Sequence, residues 1–293
     1  MIFDNLKRLL LATVNRLPLG RFGIRPAVVG VLRLEGVIGR AGPGRAGMTL
    51  ESHEKAIERL FATKRLTVAA IAVNSPGGSP VQSALLAKRI RDLAAEKNVP
   101  VVAFCEDVAA SGGYWLACAG DEIYVDANSI LGSIGVISAG FGFKGLIERF
   151  GVERRVYATG PRKGMLDPFQ EEKPEDIERL RELHADIFAN FREYVRSRRG
   201  DRLRAADDVL FTGDIWTGTE AVENGLADGI ADLRGEMRRR YGPKVQFRKT
   251  EVRRGLLSRL RSGTGETSAT GALDPAAIIA ALDEWAAWKR VGL

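Results

Sequence analysis

Three short stretches hold residue types that could do covalent chemistry. In "DVAASGGYW" (107–115), Ser111 stands between two alanines and two glycines. A serine ahead of a helical run can cap the helix, mark a tight packing point or act as a nucleophile. A cap needs neither the Ala-Ala before it nor the Gly-Gly after it, and small neighbours on both sides suit a hydroxyl held in a crowded cleft. In "NSPGGSP" (74–80), Gly77 and Gly78 follow an apolar run. Paired glycines let backbone N–H groups turn outward and approach a ligand, where they can stabilise a developing oxyanion; a plain tight turn is the alternative. In "TGPRKGMLDPF" (159–169), Lys163 lies among Gly160, Pro161, Gly164, Met165 and Leu166. An amine partly desolvated by such neighbours can be neutral and accept a proton, against the alternative of a solvated loop lysine. Arg162 beside it is always cationic and cannot be the base.

A serine nucleophile needs a base, and the chain has only two histidines, His53 and His184. Each falls on an amphipathic helical pattern rather than in a loop that would face Ser111, so both read as packing or surface residues. A Ser-His-Asp triad is a poor fit. Cys105 and Cys118 sit in apolar runs and read as buried thiols, which a reducing compartment suits. With so few Cys and His, a zinc site is not indicated.

The elements that must position these stretches alternate. Strands are expected at 27–36, 66–74, 99–106, 121–126 and 152–158. Helices are expected at 48–63, with Thr49 or Ser52 as cap, and at 81–97, 111–120, 144–151 and 173–198. The continuous apolar run "LTVAAIAVN" suits a strand buried on both faces. This order argues for an α/β sheet with helices packed on it, its loops at the strand ends carrying the site. The alternation stops near residue 235. Beyond it come a basic stretch, a flexible linker by composition at 262–272, and a helical segment at 274–291 with an Asp cap and Pro at its first position, read as a docking helix.

The 293 residues carry 45% apolar and 28% charged residues, ordinary for a globular protein, and a net charge of +7. The charge is uneven. Residues 237–262 hold ten Lys/Arg against one Glu, and residues 1–25 hold five against one Asp, so the body between is mildly acidic. That distribution favours a membrane-surface or partner contact by the basic ends over a nucleic-acid-binding body. Residues 1–17 are amphipathic: Ile2, Phe3, Leu6, Leu9, Leu10, Val14 and Leu17 share a helical face, with Lys7, Arg8 and Arg16 outside it. They are too short for a span and lack a secretory pattern, leaving packing on the body or interfacial attachment.

Taken together, "NSPGG", "VAASGGYW", "LGSIGVI" (131–137) and "GPRKGMLDP", in that order, resemble the signal peptide peptidase A family of bacterial Ser-Lys proteases, peptidase family S49, including its SohB-like members. "VLFTGDIWTGTEAVENGLADGIAD" (209–232) resembles its closing segment. The resemblance implies a ClpP/crotonase-like spiral of βαβ units over residues 27–235, flanked by the basic segment 1–26 and the tail 236–293. By position it implies Ser111 as nucleophile, Lys163 as general base and Ser133 holding the lysine amine. The oxyanion hole would come from the N–H of Gly78, with Gly112, and Gly77 would shape the turn. It further implies a serine endopeptidase acting on signal-peptide remnants or other unfolded or hydrophobic peptides, with no metal or cofactor and no nucleic acid. Small members form rings in which serine and lysine meet across a subunit boundary, so a homo-oligomer is expected. Lacking the spanning helix of membrane-bound members, the chain is expected in the cytoplasm, with peripheral contact at the inner face of the membrane as the alternative. Two rival readings are a crotonase-like acyl-CoA enzyme, with Glu106 and Asp107 as candidate carboxylates, and a non-catalytic peptide-binding scaffold.

Overall fold

The computed structural model describes residues 25–39, 47–160, 162–252 and 275–292. The amphipathic segment 1–17, the linker 262–272 and the Asp274 cap lie outside them. The chain divides into two compact units, residues 135–193 and the remainder.

The larger unit is built on one mostly parallel sheet. Its central strands are β1 (Val28–Glu35), β2 (Leu66–Ser75) and β3 (Val101–Ala110). As the apolar runs require, β2 is buried without a break from Val68 to Ser75. Around them lie β4 (Glu122–Val125), β5 (Ile130–Gly132), β6 (Ile215–Thr217), β7 (Gly229–Ile230) and β8 (Gln246–Thr250). The order is β6-β5-β3-β2-β1-β8, with β4 on the other half of β3's edge and β7 beside β4. Among the described strands only the β5–β6 pair is antiparallel. Helices α1 (Leu50–Phe61), α2 (Pro80–Lys97) and α3 (Gly112–Ala117) pack on one another and on the sheet. Thr49 and Ser52, rivals as the cap of α1, act together in a reciprocal capping box. The fold is thus α/β, consistent with the expected ClpP/crotonase-like kind.

The expected end of the third strand near Glu106 is four residues short. Val73 pairs with Cys105, but Ser75 pairs with Ala109, so Asn74 faces a bulge in β3. The Asn74 amide substitutes for the lost ladder bonds: Nδ2 donates to Asp107 Oδ2 at 2.8 Å, and Oδ1 accepts from the Val108 N–H at 3.2 Å. Polar residues that read as a strand end are therefore a bulge within one strand. The bulge also forks the sheet, since Val102–Cys105 pair with β4 and Val108–Ala110 with β5.

The α/β pattern also continues past residue 235. In α8 (Leu233–Tyr241), Met237 and Tyr241 join Val245 in a core with Val29, Val68, Val102 and Phe104, and β8 lies parallel to β1. Three consecutive arginines hide this pattern. Arg239 and Arg240 bond Glu236, and Arg240 reaches Glu122 at 2.5 Å, so a highly charged helix still buries an apolar side. Helix α9 (Pro275–Lys289), expected to dock elsewhere, reaches the chain's own sheet, where Trp288 and Val291 pack on Val108, Ala110 and Ile130.

In the smaller unit, the expected strand at 152–158 is irregular and exposed, with Tyr157 at 92%. Its neighbours are α4 (Lys144–Arg149) and α5 (Pro174–Arg199), whose last turns from Tyr194 belong to the larger unit. Phe143 and Phe169 meet at 5.6 Å, Arg154 lies over Phe169, and Lys144 pairs with Glu171 at 2.9 Å. Among the described residues no helix is long and apolar enough to cross a membrane.

Candidate active site

Ser111 follows β3 directly and occupies the N-cap of α3 with φ 52° and ψ −121°. A non-glycine residue at positive φ costs on the order of 1–3 kcal/mol and is held there only by its surroundings. Those surroundings are backbone bonds. The Ser111 N–H donates to the Gly132 carbonyl at 2.8 Å, and its own carbonyl accepts from the Trp115 N–H at 3.0 Å. The position begins the helix, yet the hydroxyl makes no cap hydrogen bond. The side chain is not spent on the helix.

The glycine turn locks against this junction. Gly77 and Gly78 have φ of 106° and 142°. A Cβ on Gly77 would lie 2.7 Å from Ser111 Cβ, and one on Gly78 would lie 2.0 Å from the Ile38 carbonyl oxygen. A Cβ on Gly112 would stand 2.4 Å from Ser83 Oγ and 3.4 Å from the Gly78 nitrogen. The two loops thus approach closer than any side chain permits, which accounts for glycine at all three positions. The N–H of Gly77 is used, donating to Ser75 Oγ at 3.1 Å. The Ile38 backbone bonds the Gly77 carbonyl and the Ser79 N–H, leaving the Gly78 N–H without an acceptor among the described residues. The Gly112 N–H belongs to the first turn of a helix, where no intrahelical acceptor exists.

Ser133 follows Gly132, the residue paired with Ala110, so Ser111 and Ser133 leave the ends of neighbouring parallel strands. It too has positive φ, 49°, and its N–H donates to the Asp214 carbonyl at 2.6 Å. The structure therefore brings together Gly77, Gly78, Ser111, Gly112 and Ser133. Lys163 belongs to the smaller unit, on a turn in which its N–H donates to Gly160 at 3.2 Å. Its side chain is exposed in the single chain rather than desolvated by Met165 and Leu166.

The other titratable candidates are engaged elsewhere. His53 is 8% exposed, burial lowers its pKa, and its Nδ1 meets Ser52 Oγ at 2.8 Å. His184 Nε2 meets Ser138 Oγ at 2.7 Å. Glu106 pairs with Arg33 at 2.7 Å, and Asp107 is held by Asn74. Cys105 and Cys118 are free and buried, as read. Sequence reasoning missed Asn74 and Ser83. Asn74 stands inside the quoted "NSPGG", where only the glycines were read; nothing local marks Ser83 as the buried hydroxyl beneath Gly112.

The family model of peptidase family S49 matches residues 94–239. A putative signal peptide peptidase SppA of Enterococcus faecium is 32% identical over 174 residues, 59% of this chain and 50% of that protein. The chloroplastic serine protease SPPA of Arabidopsis thaliana is 31% identical over 226 residues, 75% of this chain and 33% of its own length. A Brucella abortus protein named Na(+)/H(+) antiporter NhaA is 47% identical over 289 residues, 96% of this chain but 39% of that protein. The chain thus spans between a third and a half of these curated relatives. A solved mutant of the 1510-N membrane-bound stomatin-specific protease shares the fold at 15% identity, with a TM-score of 0.50 over 78% of this chain and 99% of that one. Over residues 94–239 the chain is similar to peptidase family S49.

Proposed function

We propose that the protein is a serine endopeptidase with a Ser111–Lys163 dyad. The observation that carries this reading is the Ser111 junction: a nucleophile-type residue at positive φ, its hydroxyl free of capping, walled by a glycine turn whose Gly78 N–H is unused. Ser111 Oγ attacks the peptide carbonyl while neutral Lys163 accepts its proton. The oxyanion is met by the N–H groups of Gly78 and Gly112, and Gly77 shapes the turn that aims them. Lys163 then passes the proton to the leaving amine, and a water activated by the same amine releases the acyl group from Ser111. Ser133, one strand over, orients the lysine amine.

An exposed lysine is a poor base, and burial against another copy would favour its neutral form. The reading therefore includes a homo-oligomer in which Lys163 serves the Ser111 of a neighbour. The substrates would be unfolded or hydrophobic peptides, signal-peptide remnants among them. Active-site labelling with a fluorophosphonate probe tests the dyad. Wild type should label, and Ser111→Ala and Lys163→Ala should not; equal labelling of all three sinks it.

A further inference from the structure

Ser111 and the glycine turn reach each other through the irregularity in β3. From Val73 to Ser75, β2 advances two residues while β3 advances four, from Cys105 to Ala109. Without the two extra residues Ser75 would pair with Asp107, and the Ser111 junction would overshoot the turn by roughly 7 Å, at about 3.3 Å per residue. The junction has no such slack: a Cβ on Gly77 would lie 2.9 Å from both the Ala110 carbonyl oxygen and the Gly112 nitrogen. The extra residues also carry β3 from β4 over to β5, which sets Gly132 opposite Ala110 and brings Ser133 alongside. Two side chains hold the bulge. Ser129 Oγ, at the entry to β5, donates to the Glu106 carbonyl at 2.6 Å. Asn74, only 6% exposed, stands just before the turn, its amide oxygen accepting from the Val108 N–H at 3.2 Å and its NH2 donating to Asp107 Oδ2 at 2.8 Å. The bulge needs an oxygen toward Val108 and a donor toward the carboxylate, and an amide supplies both at once. Ser75, the next residue, accepts from the Gly77 N–H at 3.1 Å, so two consecutive side chains join bulge and turn.

We propose that Asn74, braced on Asp107, is a positioning residue for the oxyanion hole, setting the separation of the Gly78 and Gly112 N–H groups. The inference rests on the serine-peptidase reading and deepens it. Asn74 touches no reacting atom; its influence reaches the substrate carbonyl only through the two donors that the bulge brings together.

The rate at which a fluorophosphonate labels the full chain tests it, because the phosphonyl oxygen gathers charge in the same hole. Asn74→Asp removes the donor and sets a second carboxylate against Asp107. Its limiting rate kinact should fall roughly tenfold to a hundredfold, as for a misplacement of about 1 Å, with KI and the fraction finally labelled unchanged. A protein that was merely destabilised would lose labelled fraction instead. In Asn74→Asp/Asp107→Asn donor and acceptor trade places, every bond is available again, and kinact should recover most of the loss. Asp107 is exposed, so Asp107→Ala, which strips the amide of its acceptor, carries the test if Asn74→Asp does not fold; kinact should slow in the same way. Wild-type kinact in either single variant, or no recovery in the double variant, would overturn the proposal. Ser111→Ala separates the two readings. Labelling that survives it sinks the serine nucleophile and this inference together, whereas labelling that needs Ser111 but ignores Asn74 sinks the inference alone.

Discussion

At the scale of single residues, the site rests on backbone conformations that side chains forbid. Gly78→Ala would set a methyl group against the Ile38 carbonyl at a φ of 142°. We expect a loss of roughly 2–4 kcal/mol in chemical unfolding, and because the N–H shifts with the backbone, a fall in kcat on the order of 10²–10³. A variant that kept full kcat would remove Gly78 from the oxyanion hole. His53 makes a different prediction. Burial lowers its pKa from the ordinary 6.5, so the folded state keeps the imidazole neutral while the unfolded chain takes up a proton as pH drops below that value. Stability is present above about pH 6.5 and is lost as pH falls toward the folded pKa. The thermal midpoint should therefore drop more between about pH 7 and 5 in wild type than in His53→Gln; parallel curves would show that another group carries the acid sensitivity.

At the scale of elements, the parts that burial alone decides were legible from composition. The unbroken apolar runs of β2 and β3 and the stripes of α1 and α2 could be read directly, as could the order of motifs around Ser111. What escaped were features made by partners distant in sequence. The bulge at Glu106–Val108 depends on the Asn74 amide, and the helical character of residues 233–241 depends on Glu236 and Glu122 absorbing the arginines. Tyr157, fully in solvent, shows why 152–158 misled: alternating apolar residues promise a strand only where a sheet edge exists to receive them. The end of α5 shows another long-range dependence. Arg199, its side chain 1% exposed, pairs with Asp228 at 2.8 Å and bonds the Gly225 carbonyl twice, fastening the helix to the segment between α7 (Gly218–Glu223) and β7. Arg199→Ala removes a buried guanidinium and leaves the Asp228 carboxylate only Arg202 at 3.6 Å and the Ile123 N–H at 2.7 Å, so it should cost roughly 2–4 kcal/mol in thermal unfolding, whereas Arg199→Leu/Asp228→Leu should recover part of it. No recovery in the double variant would mean that the backbone bonds to Gly225, not the charge pair, hold the helix.

At the scale of the whole molecule, nucleophile and proposed base belong to different compact units of the chain, and the proposed homo-oligomer makes activity depend on assembly. Mixing inactive Ser111→Ala with inactive Lys163→Ala, followed by subunit exchange, should restore hydrolysis if the dyad forms between copies; silence after verified exchange would place both groups in one chain. The two thiols have a practical bearing on all of this. They are the only cysteines of the chain, both lie buried, and desolvation lifts Cys118 to about 11 and Cys105 higher still. Alkylating reagents act on thiolates, which at neutral pH these sites withhold. The natural sequence is thereby a silent background for spectroscopy. A single Lys163→Cys would be the sole reactive handle, ready to carry a spin label or a cross-linker across whatever boundary the lysine faces.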